Sequence, residues 1–337
     1  MRVLYITPSY YPHIGGVEYV VKSVAERLVK MGHEITVIAG EPEIEKPLEE
    51  VINNVRVIRW PVWSPGNAHH IPRFKIALRD TLNKIIPYTE IVHVHSIHSI
   101  FTVWVALNIK GARRLVVTSH YHGTGHTLVR RGMWLLWRFW VAKLLGKANV
   151  IHAVSPREAR VLSSHYQEAE CKIKIIPNGV DEDVFDYRFS GWYSDYIIYA
   201  GRIERYKRLE LAINKAKDMG LKLLVLGEGS YIRSLERYAN KVYPEGVIFL
   251  PFKPRSEYLE ILSKARYAIN PSRHEAFSIF IAEALAIGVP SIVSKEIAEN
   301  LCVKNQLDDK DFIIIEKANI EAWDDIVSRY LDELYSM

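Results

Sequence analysis

The sequence predicts an α/β protein built from two doubly wound units, each a mostly parallel sheet with helices on both faces. Three observations predict this. Short Val/Ile/Leu runs alternate with helical patterns from one end of the chain to the other. Those runs are continuous, as in strands covered on both faces. At 337 residues the chain is too long for one typical domain.

The strands are expected at 2–6, 34–39, 55–59, 90–94, 114–118, 149–153 and 172–176, then at 195–200, 221–226, 247–250, 266–270, 290–293 and 312–315, with helical segments between most of them. The boundary falls near 177–194, because Pro177-Asn178-Gly179-Val180-Asp181 is dense in turn chemistry and the stretch after it has no clear period. The expected domains are 1–180 and 181–318. The pattern from Ile320 to Tyr335 reads as an amphipathic helix, and a C-terminal helix over 319–337 can pack back onto the first domain.

Composition narrows the function. Apolar residues make up 49% of the chain, enough for two cores, and the formal net charge of +5 suits an enzyme that binds anions without pointing to nucleic acid. Cys171 and Cys302 lie far apart and make no metal-ligand pair, which suits a reducing compartment. Gln167 and Gln306 are the only glutamines, a weak sign of a thermophile. The apolar start, Met-Arg-Val-Leu-Tyr-Ile-Thr-Pro, is too short for a signal peptide or a span and suits a buried first strand. No other apolar run is long enough to cross a bilayer. The expected location is the cytoplasm, with contact to a membrane surface left open.

Ligands of open α/β sheets bind beyond the carboxyl ends of strands, so the residues directly after strands carry the chemistry. After 2–6 comes Pro12-His13-Ile14-Gly15-Gly16-Val17-Glu18, where Gly15 and Gly16 allow close backbone approach to a phosphate at the start of a helix. Alone, that pair reads first as a tight strand-to-helix turn. After 195–200 comes Gly201-Arg202-Ile203-Glu204-Arg205-Tyr206-Lys207, whose Arg202 and Lys207 can converge on a diphosphate or simply form a solvated basic loop. After 266–270 comes Asn270-Pro271-Ser272-Arg273-His274-Glu275-Ala276-Phe277-Ser278-Ile279, leading into a helix that stops at Gly288. Glu275 lies in the loop, where its carboxylate can accept from sugar hydroxyls. Glu283 lies eight positions on, in an otherwise apolar helix, where a buried carboxylate needs a partner. The helix start near Ser278 also favours a diphosphate.

In this order these motifs resemble the large retaining glycosyltransferase family with the GT-B fold, the family 4 (group 1) glycosyltransferases. The resemblance runs over nearly the whole chain and includes Glu90-Ile-Val-His-Val-His95, Ala153-Val154-Ser155, Ile176-Pro177-Asn178-Gly179-Val180-Asp181, Leu226-Gly227-Glu228-Gly229 and Gly288-Val289-Pro290. It implies two Rossmann-like domains facing a cleft, the first on the acceptor side and the second binding a nucleotide-sugar donor. It implies transfer of a sugar, most simply a hexose, with retention of anomeric configuration and with no metal or other cofactor. By the same resemblance Arg202 and Lys207 hold the diphosphate, Glu275 contacts the transferred sugar, and Glu283 binds the ribose hydroxyls. Backbone groups of Phe277, Ser278 and Ile279 meet the sugar and phosphates, Gly15 and Gly16 lie against the phosphates, Phe252 and Lys253 frame the base, and His120 reaches the sugar near the reacting centre. The catalytic set so implied is His120, Arg202, Lys207 and Glu275. No side chain stands out as a nucleophile. The acceptor is expected to be a glycan or a lipid-linked molecule.

The chain departs from the pattern at Ala276, Ser278 and Arg208, where glycine is usual, and at Lys295-Glu296-Ile297-Ala298, which replaces a Gly-Gly turn. Rival readings rest on other features. His69-His70, His93-Val94-His95 and His120-Tyr121-His122 suggest a zinc-dependent hydrolase, although no carboxylates complete such a site. A non-catalytic sugar-nucleotide binder and a sugar-nucleotide epimerase share the architecture. Asp181-Glu182-Asp183 looks like a metal-binding Asp-x-Asp but sits where a helix should start after the linker. The segment 130–147 carries Arg130, Arg131, Trp134, Trp137, Arg138, Trp140, Lys143 and Lys147. It reads as a membrane-surface helix or as a core helix with a basic edge.

Overall fold

A computed structural model describes residues 1–13, 15–65, 70–121, 123, 128–301 and 311–336, giving the backbone alone at 128–131, 133 and 135. Ile14, His69, His122, Cys302, Gln306 and the side chains of Arg130 and Arg131 lie outside the described residues. The chain divides into two compact units, Met1–Asn178 with Trp323–Met337, and Gly179–Ala322.

The first unit runs β1 (Arg2–Thr7), α1 (Gly16–Lys30), β2 (Glu34–Glu41), β3 (Leu48–Ile52), β4 (Val55–Trp63), β5 (Ile71–Pro72), α2 (Lys75–Ile85), β6 (Ile91–His95), α3 (Ile100–Asn108), β7 (Arg114–Thr118), α4 (Leu128–Lys147), β8 (Val150–Ala153), α5 (Pro156–His165) and β9 (Ile173–Ile175). Its strands lie in the order β3-β4-β2-β1-β6-β7-β8-β9, with β5 on β4. All pairings are parallel except those of β3 and β5 with β4. The order turns back between β1 and β6, so the switch point of this sheet lies at their carboxyl ends.

Continuous apolar strands serve two cores at once. Leu4 and Ile6 enter the core that holds Val92, Val94 and Val117, while Val3 and Tyr5 enter the opposite one with Val37 and Ile91. That second face is covered by α1 and by the end of the chain, where α11 (Trp323–Arg329) and a π-helical turn (Tyr330–Leu334) bury Trp323, Ile326, Tyr330 and Tyr335. The final helix starts at Trp323 rather than Ile320, because Glu321 and Ala322 are held as extended chain: Val180 N–H donates to the Glu321 carbonyl, and Val180 bridges Ala322.

The second unit runs β10 (Tyr196–Ala200), α6 (Leu209–Asp218), β11 (Lys222–Leu226), α7 (Ile232–Val242), β12 (Val247–Leu250), α8 (Arg255–Ser263), β13 (Tyr267–Asn270), α9 (Ile279–Ile287), β14 (Ser291–Val293), α10 (Lys295–Asn300) and β15 (Ile313–Ile315). The order is β12-β11-β10-β13-β14-β15, parallel but for β14 with β15. Here the switch point lies between β10 and β13. Every strand expected from the sequence forms. The pattern missed β3 and β5, two short antiparallel edges: β3 is charged and mostly exposed, and β5 has two residues, one of them proline.

Candidate functional site

The switch point of the second unit brings two distant loops together. The loop after β10 carries Lys207 and the loop after β13 carries Glu275. Lys207 Nζ donates to Glu275 Oε1 at 2.6 Å, with the side chains 15% and 10% exposed. Asn270, the last residue of β13, donates to the same oxygen at 3.1 Å and to Ser278 Oγ at 3.0 Å, and Asn300 holds the Glu275 carbonyl at 2.8 Å. Burial pushes the Glu275 carboxyl up, but the Lys207 ammonium and Asn270 outweigh it, so the group stays below its usual range. A buried carboxylate therefore remains charged at neutral pH.

The loop bearing Arg202 and Lys207 is fixed by backbone contacts that only glycine permits. Gly201 N–H donates to the Leu226 carbonyl and Ile203 N–H to that of Glu228. A Cβ on Gly227 would lie 2.1 Å from the Gly201 oxygen, and one on Gly229 would lie 2.2 Å from that of Ile203. The Leu226-Gly227-Glu228-Gly229 motif is thus a seat for the cationic loop. Arg202 is exposed, its guanidinium donates to the Tyr206 hydroxyl at 3.4 Å and its carbonyl accepts from the Tyr199 hydroxyl at 3.0 Å; among the described residues it forms no ion pair. Arg208 adopts a left-handed φ of 59°, the conformation that makes glycine the usual residue there. Ala276 and Ser278 need no such backbone: Ser278 has φ −99° and Ala276 is not among the described residues with positive φ.

Glu283 lies on α9 and is buried. Its carboxylate accepts from Arg255 at one oxygen and from the Tyr258 hydroxyl at 2.6 Å at the other, and Arg255 also grips Asp183 through two bonds of 3.0 Å. The partner that a buried Glu283 requires thus comes from α8. Burial pushes the carboxyl up, and Arg255 and Tyr258 offset this only in part. Asp183 belongs to a 3₁₀ turn (Glu182–Asp186) after the linker, so the Asp-x-Asp stretch starts a helical turn and one of its acids is bound to Arg255. Phe277, Ser278 and Ile279 form the start of α9. Phe252 is 47% exposed beyond the end of β12, and Lys253 beside it pairs with Glu257 at 2.7 Å.

In the first unit, Gly15 caps α1 and Gly16 opens it, with open space where a Gly16 side chain would begin. Gly15 has no such room, because the Glu18 carboxylate folds over it and accepts from Ser9. The Glu18 carboxylate therefore fills the space beside Gly15 at the start of α1. His120 follows β7 with φ 47° and lies 3.3 Å from His95 Nδ1 through its Nε2. Burial lowers its pKa to about 3, which keeps the ring neutral.

His93 and His152 are taken up by a relay. Burial holds His93 and His152 below their ordinary range, so each neutral ring has one N–H. His152 Nε2–H donates to the Ile176 carbonyl at 2.8 Å, so its Nδ1 accepts from Thr118 at 2.8 Å. Thr118 must then accept from His93 Nε2–H at 2.6 Å, His93 Nδ1 from the Tyr335 hydroxyl at 2.6 Å, and Tyr335 from Tyr5 at 2.6 Å. Both nitrogens of His93 and His152 are thus occupied, which answers the metal reading of these rings.

Sequence reading missed Arg255, Tyr258 and Glu158, and named Asn270 and His95 only as motif positions without these contacts. Arg255 and Tyr258 stand three apart at the start of α8, a same-face spacing that signals a shared target. Glu158 completes Ser155-x-x-Glu158, the spacing of a helix capping box.

Comparison with known proteins agrees with this architecture. Residues 14–184 match the model described as Glycosyltransferase Family 4, and 192–334 match Glycosyl transferases group 1. An uncharacterized glycosyltransferase of Methanocaldococcus jannaschii is 26% identical over 87% of this chain and 80% of its own. A GDP-mannose:cellobiosyl-diphosphopolyprenol alpha-mannosyltransferase of Xanthomonas oryzae is 25% identical over 87% and 78%. Among solved structures, sucrose-phosphate synthase of Thermosynechococcus elongatus aligns with a TM-score of 0.71 at 18% identity, covering 99% of this chain and 90% of that one. Anabaena HepE in complex with UDP-glucose aligns with 0.68 at 14%, covering 99% and 90%. Two parallel-sheet α/β units, the ordered loops at their strand ends and matches along most of the sequence make this chain a member of the group 1 glycosyltransferases, an enzyme of GT-B fold.

Proposed function

We propose that this enzyme moves a hexose from a nucleotide-sugar donor to a glycan or lipid-linked acceptor with retention of configuration. The observation that carries the reading is the Lys207–Glu275 pair at the β10/β13 switch point. As the bond between anomeric carbon and phosphate breaks, negative charge grows on the diphosphate, and donors aimed at that charge lower the barrier most. Lys207, Arg202 and the backbone at the start of α9 supply such donors. Glu275, ionised and fixed by Asn270, accepts from sugar hydroxyls. Glu283, oriented by Arg255 and Tyr258, keeps lone pairs for ribose hydroxyls. Phe252 offers an exposed ring to a base. In the first unit His120 offers its ring to a sugar, and Gly16 leaves room for a phosphate.

On this reading the cations take the part of a metal, so turnover should be unchanged by chelation with EDTA; loss of turnover restored by a divalent ion would overturn the metal-free reading. The family relatives named for GDP-mannose and the UDP-glucose complex suggest the first donors to try. A thermal-shift screen with both should show one raising the melting temperature, because a ligand that binds only the folded state stabilises it. No shift with any nucleotide sugar would count against donor binding.

A membrane-surface acceptor is supported by α4. Trp134 is buried and Trp137 donates to the Ile97 carbonyl at 2.9 Å, so this helix packs in the core. Its outer stripe is different: Leu136, Phe139 and Trp140 are 80%, 57% and 46% exposed, with Lys143 over both rings. No Asp or Glu occurs from Ile91 to Arg157, so this surface suits an anionic bilayer. Among the described residues no helix is long and apolar enough to cross a membrane. Sedimentation with phosphatidylglycerol vesicles, reduced by Phe139→Ser with Trp140→Ser, is the expected result; equal sedimentation of both proteins would contradict it.

A further inference from the structure

We propose that Glu158 is a positioning residue for His120: its carboxylate fastens the residues on both sides of His120 and so holds that ring in its left-handed turn. Glu158 stands in the first turn of α5 and is 1% exposed. Ser155 Oγ accepts from the Glu158 N–H at 3.1 Å, as a helix cap does. The carboxylate reaches beyond the helix. One oxygen accepts from Ser119 Oγ and from the Tyr121 N–H, and the other from the Val154 N–H at 2.7 Å. Ser119 and Tyr121 flank His120.

Two facts mark this as more than a cap. First, no cation among the described residues pairs with Glu158, and an unpaired buried carboxylate is costly; such groups concentrate at functional sites. Burial pushes its pKa to about 7, against the pull of Ser119, Tyr121 and Val154. Second, the residue it holds is strained. A histidine at φ 47° persists only where its surroundings over-determine it.

Held there, His120 meets His95, and that contact decides where its proton sits. His95 is buried and His120 half-buried, and both are kept neutral. His95 Nδ1 meets His120 Nε2, and His95 Nε2 has no partner among the described residues. A buried N–H without an acceptor is rarer than a bare lone pair, so His95 carries its proton on Nδ1 and donates it. His120 then accepts at Nε2 and keeps its own proton on Nδ1, as a neutral donor. If His120 contacts sugar, as under the proposed function, it presents an N–H rather than a charge.

The test is spectroscopic and needs no substrate. In protein labelled with ¹⁵N-histidine, two-bond ring correlations report each tautomer, and His120→Ala assigns the His120 signals. The wild type should show His120 as a neutral Nδ1–H ring. In Glu158→Gln those signals should move toward the average of the two tautomers, with His93 and His152 unchanged. Ser119→Ala removes one of the three clamp bonds and should give a smaller shift in the same direction; it also serves if Glu158→Gln does not fold. His120 signals unmoved in every folded variant would overturn the proposal. UDP-glucose and GDP-mannose thermal shifts on the same variants separate the two readings: displaced His120 signals with an unaltered nucleotide-sugar response support the Glu158 hold and remove His120 from sugar recognition.

Discussion

The two units each hold a polar network against their sheet, and they satisfy it in opposite ways. In the second unit the network is ionic, with Lys207 on Glu275 and Arg255 on Glu283 and Asp183. In the first it is neutral, a one-directional run from Tyr5 through Tyr335, His93, Thr118 and His152 to the Ile176 carbonyl. An ion pair at a strand end has charge to share with a ligand. A neutral run with every hydrogen committed has none, and instead ties the last turn of the chain to the strands beneath it. The difference separates the network that the proposed function uses from one that holds the fold.

Breaking the ionic network should cost most. Lys207→Ala leaves Glu275 charged and buried without its cation, an expected loss of about 3 kcal/mol, measured by urea unfolding. Adding Glu275→Gln should recover most of it. If the double variant is no more stable than the single, the pair is not what holds this loop. Arg255→Ala strands Glu283 in the same way. Arg255 is about a third exposed, so solvent relieves part of the charge and a loss of about 2 kcal/mol is expected. In the neutral network, Tyr335→Phe removes the donor to His93 Nδ1 and the acceptor for Tyr5, for about 1–2 kcal/mol. Its effect should fall on stability, with donor affinity unchanged; a weakened donor would merge the two networks into one.

Acid should separate the units by gradual degrees. His120 and His152 have pKa values of about 3 and about 4 in the folded protein, against 6.5 ordinarily, because burial disfavours the charged ring. Such groups contribute stability above the ordinary value and lose it as pH falls through the folded one. Glu158 runs the other way: raised to about 7 by burial, it favours the fold below its ordinary 4.5 and loses that contribution as pH rises through 7. Glu275, held low against its burial by Lys207 and Asn270, weakens the second unit only below its ordinary 4.5. Between pH 6.5 and 4.5, hydrogen exchange should therefore rise in β6, β7 and β8 before it rises in β10 and β13. The reverse order would contradict the assignment of neutral histidines.

Much of this was legible in the sequence, for physical reasons. Strands covered on both faces are continuous apolar runs, so all but the charged edge β3 and the two-residue β5 showed. Arg202, Lys207 and Glu275 stood out because they lie in loops that follow strands, where ligand chemistry gathers, and Glu283 because it is a carboxylate in an otherwise apolar helix. What did not show is what long-range contacts build. Arg255 meets Glu283 only after α8 and α9 pack together, and nothing local links Glu158 to Ser119. The histidine pairs suggested metal because spacing of two puts two rings on one face. The partners of His93, Thr118 and Tyr335, come from another strand and from the end of the chain.

The measurement closest to the central claim is release of nucleoside diphosphate from UDP-glucose and GDP-mannose by the wild type and by Lys207→Ala, under conditions where both are folded. The account predicts release from one of these donors by the wild type and a rate about 10²–10³-fold lower for Lys207→Ala, the loss expected when a donor aimed at developing charge is removed. Equal rates for the two proteins would contradict it.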